Sequence, residues 1–220
     1  MNPKKIKWEE IFTGLEIFMK NQAKPSISLI AEINNDPYRV LFSTIISLRT
    51  RDEVTITASS RLFEAAPNLE SLAKLTEENV AQLIYPAAFY RNKSASILKC
   101  AAILQAEYNG KVPGDRELLL KLPGVGRKTA NLTLNLGFGV NAICVDTHVH
   151  RISNRMGWVT TGAPEATEAA LEIILPENYW IPLNEMLVSY GQKICTPLSP
   201  RCSICGVTKH CRRIGVERSR

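Results

Sequence analysis

The sequence predicts an all-α fold made of many short helices, and three observations lead to that prediction. Apolar residues recur at helical spacing along nearly all of the 220 residues. Capping residues, prolines and glycines divide this pattern into short segments. Evidence for strands is thin, because only residues 142–145 have the composition of one.

The first half of the chain contains six predicted helices. Asp36 and Pro37 form a good N-cap and first-turn pair, while Pro86 and Gly110 end two later segments. The periodic segments cover residues 8–19, 36–48, 52 towards 67, 76–85, 92–108 and 115–121.

The second half contains four more predicted helices, and no long linker separates it from the first. A glycine-rich turn precedes the segment 127–136, and Gly157 ends the segment that Asp146 begins. The remaining two segments are 164–175 and 177–193. If the chain has two domains, they must therefore share it closely.

The charge of the chain favours an anionic partner. The net charge is +6 and the isoelectric point is about 9.0. From Lys193 onward Glu217 is the only acidic residue, against seven basic ones: Lys193, Arg201, Lys209, Arg212, Arg213, Arg218 and Arg220. Either this segment contacts phosphates, or its charge serves solubility.

The chain begins without an apolar leader, and it contains no apolar run as long as a membrane span. Cys100 and Cys144 lie among apolar residues and are typical of small core side chains. We expect an intracellular, reducing compartment, which would be the cytoplasm (nucleoid-associated) if the source is prokaryotic.

Four cysteines near the end of the chain have the spacing Cys-x6-Cys-x2-Cys-x5-Cys: Cys195, Cys202, Cys205 and Cys211. Four thiolates within seventeen residues can hold a metal centre with little help from the fold, whereas unrelated core cysteines rarely crowd into a polar, proline-rich segment. Zinc and an iron–sulfur cubane both take four thiolates, and His210 offers zinc a spare ligand. The spacing leaves both metals open.

The sequence LPGVGRKTA, residues 122–130, joins two predicted helices. Gly124 and Gly126 permit a sharp turn and a close approach to another molecule. The N-terminus of the next helix can then bind an anion, with added charge from Arg127 and Lys128. The alternative is a plain connector between two helices, but the complete motif in a basic chain favours phosphate binding.

Two residues, one in this turn and one eighteen positions after it, are candidates for chemistry. The positive field around Lys128 favours the neutral, nucleophilic form of its amine. Asp146, in the sequence VDTH, follows an apolar stretch and begins a helix. It is either an N-cap alone or an N-cap whose second oxygen lines a cleft.

LPGVGRKTA, VDTH and the cysteine spacing together resemble the endonuclease III family, helix-hairpin-helix DNA glycosylases with a 4Fe–4S cluster. The resemblance covers almost the whole chain in the right order. It implies two α-helical domains that flank a DNA-binding cleft. One would be a six-helix domain of residues 28–140, and the other an iron–sulfur domain of residues 1–27 plus 141–220.

The resemblance also implies a mechanism. Lys128 would attack C1′ of a damaged nucleoside with help from Asp146, and the Schiff base would undergo β-elimination 3′ to the lesion. Oxidised pyrimidines such as thymine glycol in double-stranded DNA would be substrates, along with abasic sites, and the protein would act as a monomer. The four cysteines would hold a cluster that is mainly structural.

Implied DNA contacts come from several segments. The hairpin residues that would bind backbone phosphates are Leu122, Gly124, Val125, Gly126, Arg127 and Thr129. Arg49 stands where the family often carries a glutamine that fills the gap left by the flipped base. Phe89 lies at the position of an apolar wedge or is a core residue, and His148 orients nearby groups or is a surface histidine. Arg201 is the candidate contact in the cysteine loop.

Three other functions remain open at this level. The chain could be a non-catalytic DNA-binding module, or an iron–sulfur electron carrier. It could also be a mismatch-specific thymine or uracil glycosylase, although relatives of that kind usually lack the lysine found here as Lys128.

Overall fold

The computed structural model describes residues 6–220, and every regular element among them is helical. The all-α prediction is therefore confirmed. Contacts along the chain define two compact units. One is continuous, from Ser26 to Ala142, and the other combines the described residues up to Pro25 with Ile143–Arg220.

The continuous unit is built around one central helix. Helix α3 is buried over most of its length, including Val40, Phe42 and Ile46, and it packs mainly on α9. The helices of this unit are α2 (Ser26–Asn34), α3 (Pro37–Ser47), α4 (Asp52–Ala65), α5 (Leu69–Ala73), α6 (Glu77–Ile84), α7 (Tyr90–Glu107), α8 (Arg116–Leu120) and α9 (Arg127–Phe138).

Side-chain caps determine where several of these helices begin. The Asp36 carboxylate accepts the N–H of Tyr38 at 3.0 Å, and Pro37 takes the first helical position, as the sequence predicted. Asn68 and Ser71 form a reciprocal capping box at α5. Helix α5 was not predicted, and neither was α2.

The second unit has its own apolar core. Phe12 stacks on Tyr179 with 4.0 Å between ring centroids, and it packs in a cluster with buried Val149 and Leu187. Its helices are α1 (Trp8–Met19), α10 (Thr147–Met156), α11 (Pro164–Ile174) and α12 (Trp180–Lys193), together with the 3₁₀ turns Glu177–Tyr179, Cys202–Ile204 and Thr208–His210.

Residues 142–145, the one candidate strand, are buried but irregular. The carbonyl of Cys144 accepts a hydrogen bond from Asn184 Nδ2 at 3.2 Å, which satisfies a buried backbone group without a sheet. Cys100 and Cys144 are both buried and form no disulfide, as expected. Among residues 6–220 no helix is long and apolar enough to cross a membrane.

Candidate functional site

The turn between α8 and α9 is anchored by apolar side chains. Leu122 and Val125 are 3% and 8% exposed, and the N–H of Val125 donates to the carbonyl of Leu122 at 3.1 Å. Gly124 has φ = +79°, and a Cβ there would lie 3.1 Å from Ser96 Cβ. A side chain at Gly124 would therefore strain the turn and crowd α7.

Gly126, in contrast to Gly124, has open space around it. It is the N-cap of α9 in extended backbone, and a Cβ built on it would meet nothing within 4 Å. The glycine therefore keeps open the space in front of the N-terminus of α9, where the positive end of the helix dipole favours anions.

The hairpin residues differ in what they can present to a ligand. Thr129 is 1% exposed, so its side chain, like those of Leu122 and Val125, belongs to the core. These three residues could contact a phosphate only through their backbone. Arg127 and Lys128 are half-buried in the first turn of α9 and supply the side-chain charge of the hairpin.

Asp146 caps α10 with a single oxygen. Its Oδ1 accepts the N–H groups of His148 and Val149 at 2.8 and 3.0 Å, and Oδ2 takes part in neither bond. The predicted N-cap is confirmed. The two N–H groups fix the orientation of the carboxylate at the end of a buried segment.

His148 is half-buried and lies against the buried side of α12. Its Nδ1 is 3.1 Å from Arg151 Nη2, which also donates to the carbonyls of Gly191 and Cys195 at 3.0 and 2.9 Å. A Cβ on Gly191 would come within 3.0 Å of both side chains, so glycine permits this close packing. Burial lowers the pKa of Arg151.

Arg49 and Phe89 form an exposed pair on the continuous unit. Both have left-handed backbone, with φ of +55° and +56°. The guanidinium carbon of Arg49 lies 5.7 Å from the centroid of the Phe89 ring, within cation–π range. Phe89 is 59% exposed, so the alternative of a core phenylalanine is wrong. Each left-handed residue costs about 1–2 kcal/mol, and such strain is concentrated at functional sites.

The four cysteines of the C-terminal segment line one pocket. All four are half-buried free thiols. Cys195 follows α12, Cys202 begins a 3₁₀ turn that Cys205 follows, and Cys211 follows the next 3₁₀ turn. Apolar side chains complete the pocket wall, among them Ile152, Met156, Ile194, Val207 and Val216.

Hydrogen-bond donors point at three of the four sulfurs. Tyr190 Oη lies 3.2 Å from Cys205 Sγ, and the guanidinium of Arg155 lies 3.5 Å from Cys195 Sγ. The backbone N–H of Arg213 donates to Cys211 Sγ at 3.4 Å. Burial raises the pKa of Tyr190, and it raises the pKa of the Cys211 thiol. Donors of this kind stabilise thiolates that bind metal.

His210 and Arg201 lie close to the four cysteines in the sequence but have different surroundings. His210 does not line the pocket, and its Nε2 lies 3.4 Å from a Glu10 oxygen on α1. Arg201 is exposed at the pocket wall. Within residues 6–220 no three His, Cys, Asp or Glu side chains converge as they would around a single ion. The four thiols thus line one pocket without converging on a single point.

Known proteins with the same fold and motifs act in DNA repair. Residues 42–177 match the family model of the HhH-GPD superfamily base excision DNA repair proteins. That span includes the glycine hairpin, Lys128 and Asp146. The fold and the matched region define a helix-hairpin-helix protein of base excision repair.

Several relatives share one name. Endonuclease III of Thermotoga maritima is 51% identical over 176 residues, which are 80% of this chain and 83% of that protein. Endonuclease III of Rickettsia felis is 35% identical, with 89% and 91% of the two chains covered. The chain spans 57% of the length of a chloroplastic Arabidopsis thaliana homologue, at 37% identity.

Solved structures extend the likeness to three dimensions. The chain matches a trapped endonuclease III–DNA covalent intermediate with a TM-score of 0.84 at 31% identity, over 96% of this chain and 97% of that one. A thermostable thymine-DNA glycosylase, at 23% identity and a TM-score of 0.74, shares the fold.

The chain belongs to the endonuclease III family. It is accordingly an enzyme, a DNA glycosylase and abasic-site lyase of base excision repair.

Proposed function

We propose that this protein excises oxidised pyrimidines such as thymine glycol from double-stranded DNA and then cuts the strand at the abasic site. The position of Lys128 carries the proposal. This lysine lies in the first turn of α9, directly behind the open space at Gly126. A phosphate held at that helix end would bring the sugar of the same strand near the amine. The protein would act as a monomer on nucleoid DNA if the source is prokaryotic.

Lys128 is the nucleophile in this mechanism. Its neutral amine attacks C1′ of the damaged nucleoside, and the base departs with the electrons of the glycosidic bond. The C1′–O4′ bond of the sugar then opens to give a Schiff base. This makes the 2′ proton acidic enough for β-elimination, in which the 3′ phosphate leaves and the strand breaks 3′ to the lesion. The lysine is released when water hydrolyses the Schiff base.

Asp146 assists this attack. Its Oδ1 is committed to the cap of α10, so the carboxylate has a fixed orientation. The charged group can take the proton that Lys128 must lose, or stabilise positive charge that develops on the sugar. His148, bonded to the same oxygen through its backbone N–H, keeps that orientation.

DNA contacts divide into two kinds in this proposal. The hairpin binds backbone phosphates through Gly124, Gly126 and Arg127, which position DNA without reading its sequence. Arg49 fills the gap left by the flipped base, and Phe89 separates the neighbouring bases as an apolar wedge. The exposed Arg201 adds a phosphate contact from the cysteine loop.

The four cysteines hold a 4Fe–4S cluster in this proposal. Support comes from four half-buried thiols around one pocket and from the donors that reach three sulfurs. The cluster would supply a structural crosslink for residues 195–211, inside a domain formed by residues 1–27 and 141–220. Iron and sulfide analysis of purified protein tests this, and bound zinc in their place would contradict it.

Borohydride trapping tests the lysine mechanism. The protein is incubated with a duplex that contains one thymine glycol, and borohydride reduces any Schiff base to a stable adduct. We expect an adduct with the wild type and with Lys99→Ala, an exposed lysine on α7, but none with Lys128→Ala. Trapping by Lys128→Ala, or no trapping by the wild type on thymine glycol and abasic duplexes alike, would refute the mechanism.

A further inference from the structure

Lys93 is a buried lysine in the first half of α7. It is 7% exposed. Its ammonium donates to the carbonyls of Ile46 and Leu48, both at 2.6 Å, and to Thr50 Oγ1 at 2.9 Å. All three donors of the ammonium are therefore used. Burial lowers the pKa of Lys93 to about 8, so the group keeps its charge at neutral pH.

These bonds enclose Arg49 from both sides. Leu48, which precedes it, is held through its carbonyl, and Thr50, which follows it, is held through its hydroxyl. The two carbonyls lie at the C-terminal end of α3, where backbone acceptors lack helical partners and a cation is favoured. Lys93 thus completes the end of α3 and fixes the backbone around an exposed arginine.

The same network reaches Phe89. The Thr50 hydroxyl that receives the Lys93 bond also accepts the N–H of Ala88 at 3.1 Å, one residue before Phe89. The backbone N–H of Lys93 donates to the carbonyl of Phe89 at 3.0 Å. One buried side chain therefore connects two left-handed residues that are forty positions apart.

We propose that Lys93 is a positioning residue that fixes Arg49 and Phe89 as one rigid pair for insertion into DNA. The inference rests on the proposed function of those two residues. Left-handed backbone at non-glycine positions persists only where the surroundings enforce it, and Lys93 with Thr50 supplies that enforcement. A pair already in its inserting geometry loses less conformational entropy on entering the duplex.

A fluorescent duplex reports on insertion directly. It carries a tetrahydrofuran abasic analogue opposite 2-aminopurine, whose fluorescence rises when the orphaned base is unstacked. We expect Lys93→Met to bind this duplex about tenfold more weakly than the wild type. Most of the fluorescence rise should also be lost at saturating protein. Affinity for undamaged duplex, which the hairpin supplies, should fall much less.

Thr50 provides a second variant and a rescue. Thr50→Val removes the hydroxyl that joins Lys93 to Ala88, and Thr50→Ser keeps it. We expect the valine variant to lose fluorescence and the serine variant to retain it. If Lys93→Met does not fold, this pair decides the question. Leu104→Ala, a fully buried position on α7 away from the network, controls for lost stability and should retain the rise.

The outcomes separate the two proposals. If Arg49→Ala and Phe89→Ala lose the rise while Thr50→Val and Lys93→Met keep it, the role of Lys93 is overturned and insertion stands. If the wild type gives no rise, or if both Arg49→Ala and Phe89→Ala keep it, insertion by this pair is wrong, and the role of Lys93 falls with it.

Discussion

The hairpin turn and the cysteine segment are both short loops, but they are held in different ways. Leu122 and Val125 anchor the hairpin in the core of the continuous unit. Between Cys195 and Cys211, by contrast, only Pro200 and Val207 are buried. So little burial cannot offset the conformational entropy of seventeen ordered residues. The hairpin geometry follows from packing, whereas in the cysteine segment the proposed cluster would supply the missing free energy.

The largest expected effect comes from removing one of the four cysteines that would hold the proposed cluster. We expect Cys202→Ser to release the cluster and to accelerate amide hydrogen exchange by orders of magnitude in residues 195–211, while exchange in the hairpin stays slow. Ser203→Ala, an exposed neighbour, is the matched control and should change neither region. Equal acceleration in the hairpin would mean that both loops depend on the metal.

A second test separates two roles of Asp146, which are to cap α10 and to supply a negative charge for base excision. Asp146→Asn retains an oxygen that can cap α10, so the melting temperature should change little. Removal of the charge should lower single-turnover base excision by about 10²-fold, the scale of lost acid–base assistance. A variant with full excision activity would show that Asp146 serves only as a cap.

Two glycines within the hairpin distinguish packing from binding. Gly124→Ala should destabilise the protein by about 1–2 kcal/mol because φ is +79° at that position. Gly126→Ala has open space around it, so it should unfold at nearly the wild-type denaturant concentration yet bind DNA more weakly. Urea denaturation with fluorescence-based DNA titration measures both. If Gly126→Ala destabilised the protein more than Gly124→Ala and left DNA binding unchanged, a phosphate site at Gly126 would be contradicted.

The smallest expected effect concerns the exposed ion pairs of Glu10, which hold the Thr208–His210 turn to α1. Lys7 and Lys209 lower the pKa of Glu10 from its ordinary 4.5 to about 2. The stabilisation is therefore present above pH 4.5 and is lost as the pH falls to about 2. Glu10→Gln should flatten the acid limb of the thermal stability profile slightly. An unchanged profile would show that solvent screens these pairs completely.

Much of the fold follows from local signals in the sequence. Asp36 with Pro37, Gly157 and the apolar periodicity located ten helices, because each signal lies within the helix that it defines or directly at its end. Helix α5 has only five residues, and the signal that marks it in the sequence is the Asn68–Ser71 capping box. Helix α2 has Ile27, Ile30 and Ala31 buried at helical spacing, so the sequence does carry a signal for it.

The site was less accessible from sequence. The cysteine spacing and the glycine hairpin are contiguous motifs, so they could be found in advance. Lys93 stands among polar residues in the sequence, and its burial depends on carbonyls more than forty positions away. The exposure of Phe89 likewise follows from left-handed backbone that no local pattern specifies. Long-range contacts of this kind become visible only in the folded chain.

Because Cys100 and Cys144 are buried, thiol labelling can count how many of the other four cysteines are not bound to metal. Both thiols lie out of reach of solvent, and burial raises the pKa of Cys100 to about 12, so neither should react with a maleimide while the fold persists. The remaining four sulfurs are masked when they ligate metal. Mass spectrometry after labelling should therefore show no adduct on loaded protein and four on protein stripped of metal. Products with one to three adducts would reveal the order in which the cysteines lose the metal.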